Sequence, residues 1–414
     1  MPLRLLKFGL QKEYTEPRMF RSPEHLREQY DVVIIGGGGH GLATAHYLAN
    51  EHGITDVAVL EQRYIGHGGT GRNTSIIRSN YLTEEGAKFY QFSVDLYRDL
   101  SRQLDFNLFY SQRGHFTLAH SPASLRTQRW RAEVNKHLGI DSEVVGPDFI
   151  QKTIPQIDLT CGGHQPPIFG ALYHPPGAIA RHDAVAWAYA RGADSKGVEI
   201  HQRTAVTGIE VADGAVMGVH TDRGFIKTSK VLSAVAGWTP QIQEMVGLRS
   251  PLTVHPLQAF VTEPYKAWLD AIVVSAGLHT YISQSARGEM VAGASLDPYE
   301  LSSMRSSLDF AEGLAGHIMD LFPFLGQVNV LRQWAGLCDM TPDFSPIMGT
   351  TPISGFYIDA GWGTWGFKAT PVCGYTMAHT VAHDNNHELI TPFNLARFGA
   401  FELVGEKGAA SVGH

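Results

Sequence analysis

A glycine-rich turn at residues 36–41 constrains the fold of this chain more than any other feature. It reads Gly-Gly-Gly-Gly-His-Gly and lies between the apolar run Val32–Ile35 and a stretch of helical character, Leu42–Glu51. In a G-x-G-x-x-G turn the first glycine permits a tight bend, the second lets the backbone approach a pyrophosphate, and the third lets the helix pack on the strand. The turn therefore predicts a strand–turn–helix unit whose helix N-terminus binds a phosphate.

A second predicted strand supports a dinucleotide site. Val57–Leu60 is apolar and is followed by Glu61, at about the spacing where an acidic residue binds the ribose hydroxyls. A glycine-rich turn alone is a weak signal, and a turn without a ligand is the alternative. Because the turn and the acid occur together, we predict that a dinucleotide contacts Gly36, Gly38, Gly41 and Glu61.

The composition excludes several other classes of protein. The chain has 414 residues, enough for two or more structural regions, and its formal net charge of −7 without any block of Lys or Arg argues against nucleic-acid binding. Cys161, Cys338 and Cys373 are too sparse for a disulfide framework or a zinc motif. Met1–Tyr30 does not resemble a secretory signal, and no apolar run reaches membrane-spanning length. We expect a cytoplasmic protein without a metal site or a membrane association.

The order of the predicted elements indicates a discontinuous dinucleotide domain. A glycine-rich loop, 66–74, follows Glu61 and is expected to wrap the cofactor. An apolar strand within Lys230–Trp238 ends in Ala-Val-Ala-Gly, which predicts that Gly237 also comes close to the cofactor. Between these points the periodicity predicts further helices at Gly86–Leu104, Leu125–Leu138 and Asp183–Lys196, and strands at Gly114–Ala119, Ser142–Val145, Gly197–Ile200, Ala205–Val211, Gly214–Thr221 and Phe225–Lys227. The stretch that follows Val145, up to Pro176, is predicted to be a loop.

The last part of the chain favours FAD over a nicotinamide cofactor. A strand, Gly355–Gly361, is followed by a glycine-rich loop and by a helix over Thr370–His383, with Thr370 as its cap and Pro371 in its first turn. A flavin ring benefits from a second helix N-terminus, since positive potential there stabilises the reduced, anionic flavin. Before it, strands at Leu252–Glu263, Thr280–Ser283 and Met290–Ala294 and a helix at Ser306–Leu321 are expected to form a substrate domain.

Several blocks in the same order resemble the glycine/D-amino-acid oxidase family of FAD amine oxidases and, more narrowly, the β subunits of heterotetrameric sarcosine oxidases. The resemblance runs nearly end to end. It rests on 36–45, 59–61, 72–74, 76–81, 111–114, 181–183, 255–259, 361–364, 366–368 and 408–414.

The resemblance implies an α/β fold: a discontinuous, Rossmann-like FAD-binding domain of the glutathione-reductase type and a second, antiparallel-sheet α+β substrate domain. The expected FAD-binding segments are 1–110, 161–250, which carries the FMN attachment, and 336–414; the expected substrate segments are 111–160 and 251–335. The implied activity is oxidation of sarcosine to glycine by noncovalent FAD, with electron transfer to covalent FMN and reduction of O2 to hydrogen peroxide. The implied partners are an α subunit holding NAD and tetrahydrofolate, with which 5,10-methylenetetrahydrofolate forms instead of formaldehyde, and small γ and δ subunits.

Carried over residue by residue, the resemblance assigns the covalent FMN to His182, with Arg181 beside the flavin ring or its phosphate. From the residues alone, His182 reads as the start of a helix with Asp183 near its N-terminus, and His174 is the competing flavin carrier. The positions expected to contact cofactor are Gly36, Gly38, Gly39, His40, Gly41, Glu61, Gly69, Thr70, Arg72, Asn73, Thr74, Arg181, His182, Val206, Gly237, Gly363, Gly366 and Lys368.

The same resemblance assigns the substrate carboxylate to Arg78 and Lys368. An Arg guanidinium matches a carboxylate as a planar fork and a Lys adds a point charge, so the two suit a small zwitterion. Tyr81 is expected to close one side of this pocket. Cys338 is expected to be a small packed residue rather than a flavin attachment, and His279 carries little weight as a substrate-site histidine.

Two other functions remain open at this stage. One is a secondary amino acid or imino acid dehydrogenase of the same fold that passes electrons to a carrier. The other is a flavin relay subunit without catalysis of its own. No general base is apparent in the sequence, and the secondary amine substrate is not fixed by it.

Overall fold

A computed structural model describes residues 9–10 and 19–405. The block 408–414 and most of the first 18 residues, which entered the sequence interpretation, lie outside the described residues. The helices are α1 (Gly39–Glu51), α2 (Glu84–Gln103), α3 (Pro122–His137), α4 (Pro147–Thr153), α5 (His182–Asp194), α6 (Thr239–Met245), α7 (Leu308–Leu321), α8 (Thr370–His383) and α9 (Arg397–Ala400).

Twenty strands are described, and most belong to two large sheets. They are β1 (Val32–Ile35), β2 (Val57–Glu61), β3 (Ile76–Ile77), β4 (Ser111–Gln112), β5 (His115–Ala119), β6 (Glu143–Val145), β7 (Gly170–His174), β8 (Ala178–Ile179), β9 (Glu199–Gln202), β10 (Val206–Ala212), β11 (Ala215–Thr221), β12 (Gly224–Lys227), β13 (Val231–Ser233), β14 (Thr253–Pro264), β15 (Ile272–Ser275), β16 (Thr280–Gln284), β17 (Glu289–Leu296), β18 (Val330–Met340), β19 (Ile347–Thr350) and β20 (Phe356–Ala360).

The first sheet has the order β19-β20-β13-β1-β2-β9. All its neighbouring strands are parallel except the β19–β20 pair, which is antiparallel. Strand β1 is a continuous apolar run because both of its faces are covered. Val32 and Ile34 pack in the core with α1, α2, α5 and α8, whereas Val33 and Ile35 pack beneath the three-stranded sheet β10-β11-β12.

The second sheet has the order β18-β14-β17-β16-β15-β5-β7-β6. It is antiparallel except at the β15–β5 pair, which is parallel. Helix α7 packs on this sheet through Leu314, Ile318 and Leu321, in a core that includes Phe116 and Ile282. A small sheet, β3-β8-β4, is also present. This architecture confirms the predicted fold class: a discontinuous α/β dinucleotide-binding sheet with a second, predominantly antiparallel α+β unit.

Three features of the chain differ from the sequence prediction. The stretch predicted as a loop up to Pro176 contains helix α4 and strand β7, and β7 belongs to the second sheet although the expected segment 161–250 was assigned to FAD binding. Strand β18 crosses the expected boundary between residues 335 and 336. The N-cap of α8 is Ala369 without a capping side chain, because a 3-10 helix, Phe367–Ala369, leads directly into it; Thr370 is therefore the first helical residue rather than the cap.

The helices α1 and α8 pack with their N-termini side by side. This close approach is possible because the residues at their contact are small. A Cβ atom on Gly374 of α8 would lie 2.4 Å from the Ala43 Cβ of α1, and one on Gly39 would lie 3.0 Å from the Thr370 Oγ1 atom. Both positively polarised helix ends consequently reach one region of the molecule. Within residues 9–10 and 19–405, none of the helices combines the length and the apolar character needed to cross a membrane.

Candidate flavin and amine site

A cavity of about 460 Å³ lies between the two large sheets. Its lining extends from the glycine turn after β1 to the strands of the second sheet. Of the positions that the sequence predicts for cofactor or substrate, those that line this cavity are Gly36, Gly38, Gly39, His40, Glu61, Gly69, Thr70, Arg72, Asn73, Thr74, Arg78, Val206, Gly363, Gly366 and Lys368.

The glycine turn has the geometry that its spacing predicts. Gly36 has φ +112°, and a Cβ atom there would lie 2.3 Å from the Ala234 carbonyl oxygen. A Cβ atom on Gly41 would lie 2.0 Å from the Gly36 carbonyl oxygen, so Gly41 serves helix–strand packing and does not line the cavity. Gly38 is the N-cap of α1 and has no capping side chain. The N-terminus of α1 therefore lies at the cavity wall, where its first N–H groups can bind an anion.

Glu61 closes the same end of the cavity from strand β2. Its Oε2 atom accepts a hydrogen bond from the Gly37 N–H at 3.0 Å, and its Oε1 atom accepts one from the Arg63 N–H at 2.8 Å. Burial raises the pKa of the carboxyl, while these two backbone donors oppose the shift. Each oxygen keeps a second lone pair, so the carboxylate retains the capacity to accept a hydroxyl of a bound ribose.

The loop after β2 is held over the cavity by its own hydrogen bonds. The Thr70 hydroxyl accepts from the Gly39 N–H at 2.9 Å, and the Asn73 Oδ1 atom accepts from the Ser75 N–H at 2.6 Å. The indole N–H of Trp334 donates to the Arg72 carbonyl oxygen at 2.8 Å, which ties the loop to β18 of the second sheet. The loop is thus fixed by hydrogen bonds and forms part of the cavity wall between the two sheets.

A buried network around Asp359 fixes the glycine-rich segment at the other side of the cavity. The Asp359 carboxylate lies 2.9 Å from His40 Nδ1 and accepts from the Trp362 indole N–H at 2.5 Å and from the Cys373 thiol at 3.2 Å. The His40 Nε2 atom lies 2.7 Å from the Gly366 carbonyl oxygen. Burial lowers the pKa of His40, but Asp359 and Gly366 outweigh it and the pKa is raised. Because both neighbours of the ring are acceptors, the geometry suits a doubly protonated imidazolium.

His40, Asp359 and Cys373 also form the one cluster in the described part of the chain that is compact enough for a metal ion. Their ligating atoms already make hydrogen bonds to one another, and the second ring nitrogen of His40 is engaged by Gly366. Burial and the Asp359 charge raise the pKa of the Cys373 thiol well above its usual value, which disfavours a thiolate ligand. The cluster therefore acts as a hydrogen-bonded brace rather than as a metal site.

Arg78 and Lys368 bring two cations to the wall of the same cavity. Both side chains are buried, with 4% and 7% of their surface exposed. Arg78 donates to the Asn80 Oδ1 atom at 2.8 Å, and Lys368 Nζ lies 3.4 Å from the Thr364 carbonyl oxygen. Burial lowers the pKa of Lys368 well below its usual value, and the Arg78 charge adds to the effect. Within residues 19–405 neither cation pairs with a carboxylate at 4 Å or less, so the pair is free to bind an anionic ligand.

Besides Gly41 and His182, three predicted residues lie outside the lining of this cavity. Tyr81 does not close the pocket: its ring stacks on Tyr90 with centroids 3.9 Å apart and supports the Arg78 guanidinium from behind, 4.5 Å from the ring centroid. Gly237 allows packing, because a Cβ atom there would lie 2.5 Å from the Leu337 Cβ atom. Arg181 turns away and pairs with Asp183 at 2.5 Å.

A second cavity, of about 430 Å³, adjoins the first. His182 lines it from the first turn of α5, and burial lowers the pKa of this histidine. The competing His174 lines neither cavity: it is fully buried, with Nδ1 at 2.6 Å from the Asp141 carbonyl oxygen and Nε2 at 3.3 Å from the Ser79 N–H. The residues shared by the two cavities are His67, Thr70 and Arg72.

The sequence predicts no flavin attachment at Cys338 and gives little weight to His279 as a substrate-site residue. Cys338 is buried, its thiol donates to the Gly363 carbonyl oxygen at 3.0 Å, and burial raises its pKa, although it does contribute to the cavity wall. His279 is exposed and lines neither cavity. Residues that sequence reasoning missed are His115, Tyr281, Asp339 and Trp362, which all line the larger cavity. For His115, Tyr281 and Asp339, only their strand positions could have pointed to them, since strand pairing decides which side of a sheet faces the cavity. Trp362 lies just after β20, outside any strand.

Comparisons with known proteins identify the family to which this chain belongs. A family model described as FAD dependent oxidoreductase (DAO) matches residues 31–380. The "Sarcosine oxidase subunit beta" proteins of Arthrobacter sp and of Rhizobium meliloti (strain 1021) are each 44% identical to this chain, over 96% and 98% of it and over 97% of each relative.

Solved structures share the same fold. The L-proline dehydrogenase of P. horikoshii has a TM-score of 0.85 at 26% identity, covering 91% of this chain and 100% of that one. A glycine oxidase from Bacillus cereus has a TM-score of 0.77 at 23% identity, covering 87% of this chain and 97% of that one. The resemblance stated from the sequence is confirmed by these matches. The chain therefore belongs to the DAO family of FAD-dependent oxidoreductases and, within it, to the family of sarcosine oxidase β subunits.

Proposed function

We propose that this chain oxidises sarcosine to glycine, with FAD held noncovalently in the larger cavity and the amino acid bound at its Arg78–Lys368 end. The observation that carries the proposal is that one cavity joins a dinucleotide turn to two buried cations, and that among the described residues neither cation has a carboxylate partner. A small zwitterion supplies the missing carboxylate. The sarcosine oxidase β subunits at 44% identity support the choice of substrate.

The residues present suit FAD. The orphan N–H groups of α1 and the glycines at 36 and 38 suit its pyrophosphate, and Glu61 suits the ribose. The N-terminus of α8 brings positive potential to the flavin end of the cavity. When bound, FAD supplies the acceptor for the hydride equivalent removed from the N-methyl carbon.

The chain contributes positioning and electrostatics. Arg78 and Lys368 bind the substrate carboxylate through charge-assisted hydrogen bonds and thereby fix the N-methyl group relative to the cofactor. The same two charges disfavour a protonated amine nearby, which keeps the substrate nitrogen in its uncharged, oxidisable form. Tyr81 supports this arrangement by packing behind Arg78.

We also propose that His182 would hold a second flavin, an FMN, covalently; that group would supply an electron acceptor at which O2 is reduced to hydrogen peroxide. The smaller cavity lined by His182, and its wall shared with the larger one, support this assignment over His174. We further propose an assembly with α, γ and δ subunits, in which the one-carbon product meets tetrahydrofolate in the NAD-binding α subunit or is released as formaldehyde.

Anaerobic addition of sarcosine to the purified holoenzyme tests the proposal. The flavin absorbance should bleach, and readmitted O2 should restore it with formation of hydrogen peroxide. Absence of bleaching in protein that is fully loaded with flavin would refute the proposed substrate.

A second candidate is oxidation of another secondary amino acid with transfer of electrons to a carrier. The TM-score of 0.85 to an L-proline dehydrogenase favours it. Substrate-dependent reduction of a dye without hydrogen peroxide would identify this reaction. Bleaching by sarcosine that is lost in Lys368→Ala would exclude a relay subunit without catalysis of its own.

A further inference from the structure

His115 is a buried histidine at the amine end of the larger cavity, and the mechanism above does not use it. It begins strand β5 and lines the cavity together with Arg78 and Lys368. Only 1% of its surface is exposed, and its Nδ1 atom has no hydrogen-bond partner among the described residues. A polar atom that is buried without a partner is costly in free energy, which sets His115 apart from a histidine that only fills the core.

The neighbouring His174 shows what a purely structural histidine looks like in this fold. His115 and His174 are paired across strands β5 and β7. Both ring nitrogens of His174 are engaged, by Asp141 and by Ser79, and it lines neither cavity. His115, by contrast, has a ring nitrogen without a partner among the described residues, and it lines the larger cavity. Gly177 leaves room for the base of this side chain, since a Cβ atom there would lie 2.5 Å from the His115 Cβ atom.

The surroundings of His115 keep its imidazole neutral. Burial lowers its pKa well below the usual value, and the charge of Arg78, followed by those of His174, Arg131 and Lys368, acts in the same direction. A neutral imidazole retains an acceptor nitrogen. In a cavity end otherwise dominated by two cations, this acceptor is suited to an N–H group rather than to a carboxylate.

We propose that His115 binds the amine nitrogen of the substrate by accepting a hydrogen bond from its N–H, while Arg78 and Lys368 bind the carboxylate. This inference rests on the proposed function, because it assigns the second polar group of the same zwitterion. In an α-amino acid the nitrogen is one carbon from the carboxylate, so its partner must stand near the cations. His115 lines the same cavity as Arg78 and Lys368, and the charges of both act on its ring. The residue would select amines over plain carboxylic acids.

The test compares sarcosine with butyrate, which replaces the N–H of sarcosine by a methylene group and keeps the carboxylate. For sarcosine, the dissociation constant is taken from the concentration dependence of the flavin bleaching rate after anaerobic mixing with the holoenzyme. For butyrate, which is not oxidised, it is taken from the shift of the oxidised flavin spectrum. His115→Leu removes the hydrogen-bonding group, and His115→Gln restores one. His220→Leu, on the exposed face of β11, serves as the matched control.

We expect His115→Leu to weaken sarcosine binding by about 10- to 100-fold, to leave butyrate binding within about twofold, and to retain its flavin; His115→Gln should recover part of the loss. Equal weakening of both ligands, or no change in either, would overturn the assignment of His115. If the unmodified holoenzyme is not bleached by sarcosine, the proposed function itself is wrong, and that result is separate from the comparison of the variants.

Discussion

His40 Nδ1 lies 2.9 Å from Asp359 Oδ2, which joins the helix after the glycine turn to a strand 319 residues later in the chain. The contact couples the phosphate end of the cavity to the glycine-rich segment that precedes α8. Because His40 also faces the Gly366 carbonyl oxygen, its protonation decides whether both contacts are hydrogen bonds. The brace therefore makes the cofactor site sensitive to pH.

We predict a pH-dependent contribution of His40 to stability. Its pKa in the folded protein is raised above the ordinary value of 6.5, so its stabilising effect is complete below pH 6.5 and is lost as the pH rises through the folded-state pKa. The melting temperature of the unmodified protein should exceed that of His40→Gln most below pH 6.5, and the difference should shrink at higher pH. Both proteins are measured with excess FAD. A constant difference across this range would contradict an ionised His40.

Lys368→Met should separate ligand binding from stability. Loss of a charge-assisted hydrogen bond should weaken sarcosine binding by about 10- to 150-fold. Removing a buried ammonium without a carboxylate partner should also stabilise the ligand-free fold by about 1–3 kcal/mol. Spectral titration measures the first effect and urea unfolding the second. Lys88→Met, at an exposed i,i+4 pair with Glu84, is the control and should change neither. A Lys368→Met protein that binds sarcosine normally would remove Lys368 from the site.

Of two glycine-to-alanine substitutions, one should impair flavin binding and the other should stabilise the protein. Gly41→Ala places a Cβ atom 2.0 Å from the Gly36 carbonyl oxygen and should abolish flavin retention, seen as colourless purified protein. Gly313→Ala, within α7 and with nothing within 4 Å of the added atom, should stabilise the protein by about 0.5–1 kcal/mol in urea unfolding. Normal flavin content in Gly41→Ala would contradict the assigned packing role.

The parts of this protein that could be predicted from its sequence are those in which short-range spacing decides the structure. The glycine turn, the acidic end of β2 and the helix Thr370–His383 each follow from residues adjacent in the chain, and the structure has them. The order of alternating elements was also enough to predict a discontinuous sheet.

The remaining features depend on contacts between distant strands. His115 reaches the cavity because β5 pairs with β15 and β7, and Asp359 reaches His40 because β20 lies next to β13 in the sheet. Tyr81 was expected to line the pocket from its nearness to Arg78 in sequence, but its ring stacks on Tyr90 instead. No local sequence pattern shows whether such a side chain faces the cavity or the core, because contacts with residues distant in the chain decide its direction.

We propose that one chain holds two flavins in adjacent cavities, an FAD that denaturation releases and an FMN that stays attached. Acid precipitation of the purified holoenzyme, followed by peptide mass mapping, measures both. We predict one equivalent of FAD in the supernatant and one flavin on the peptide that contains His182, and a colourless precipitate for His182→Ala. A colourless precipitate of the unmodified protein, or a flavin on any other peptide, would contradict the account.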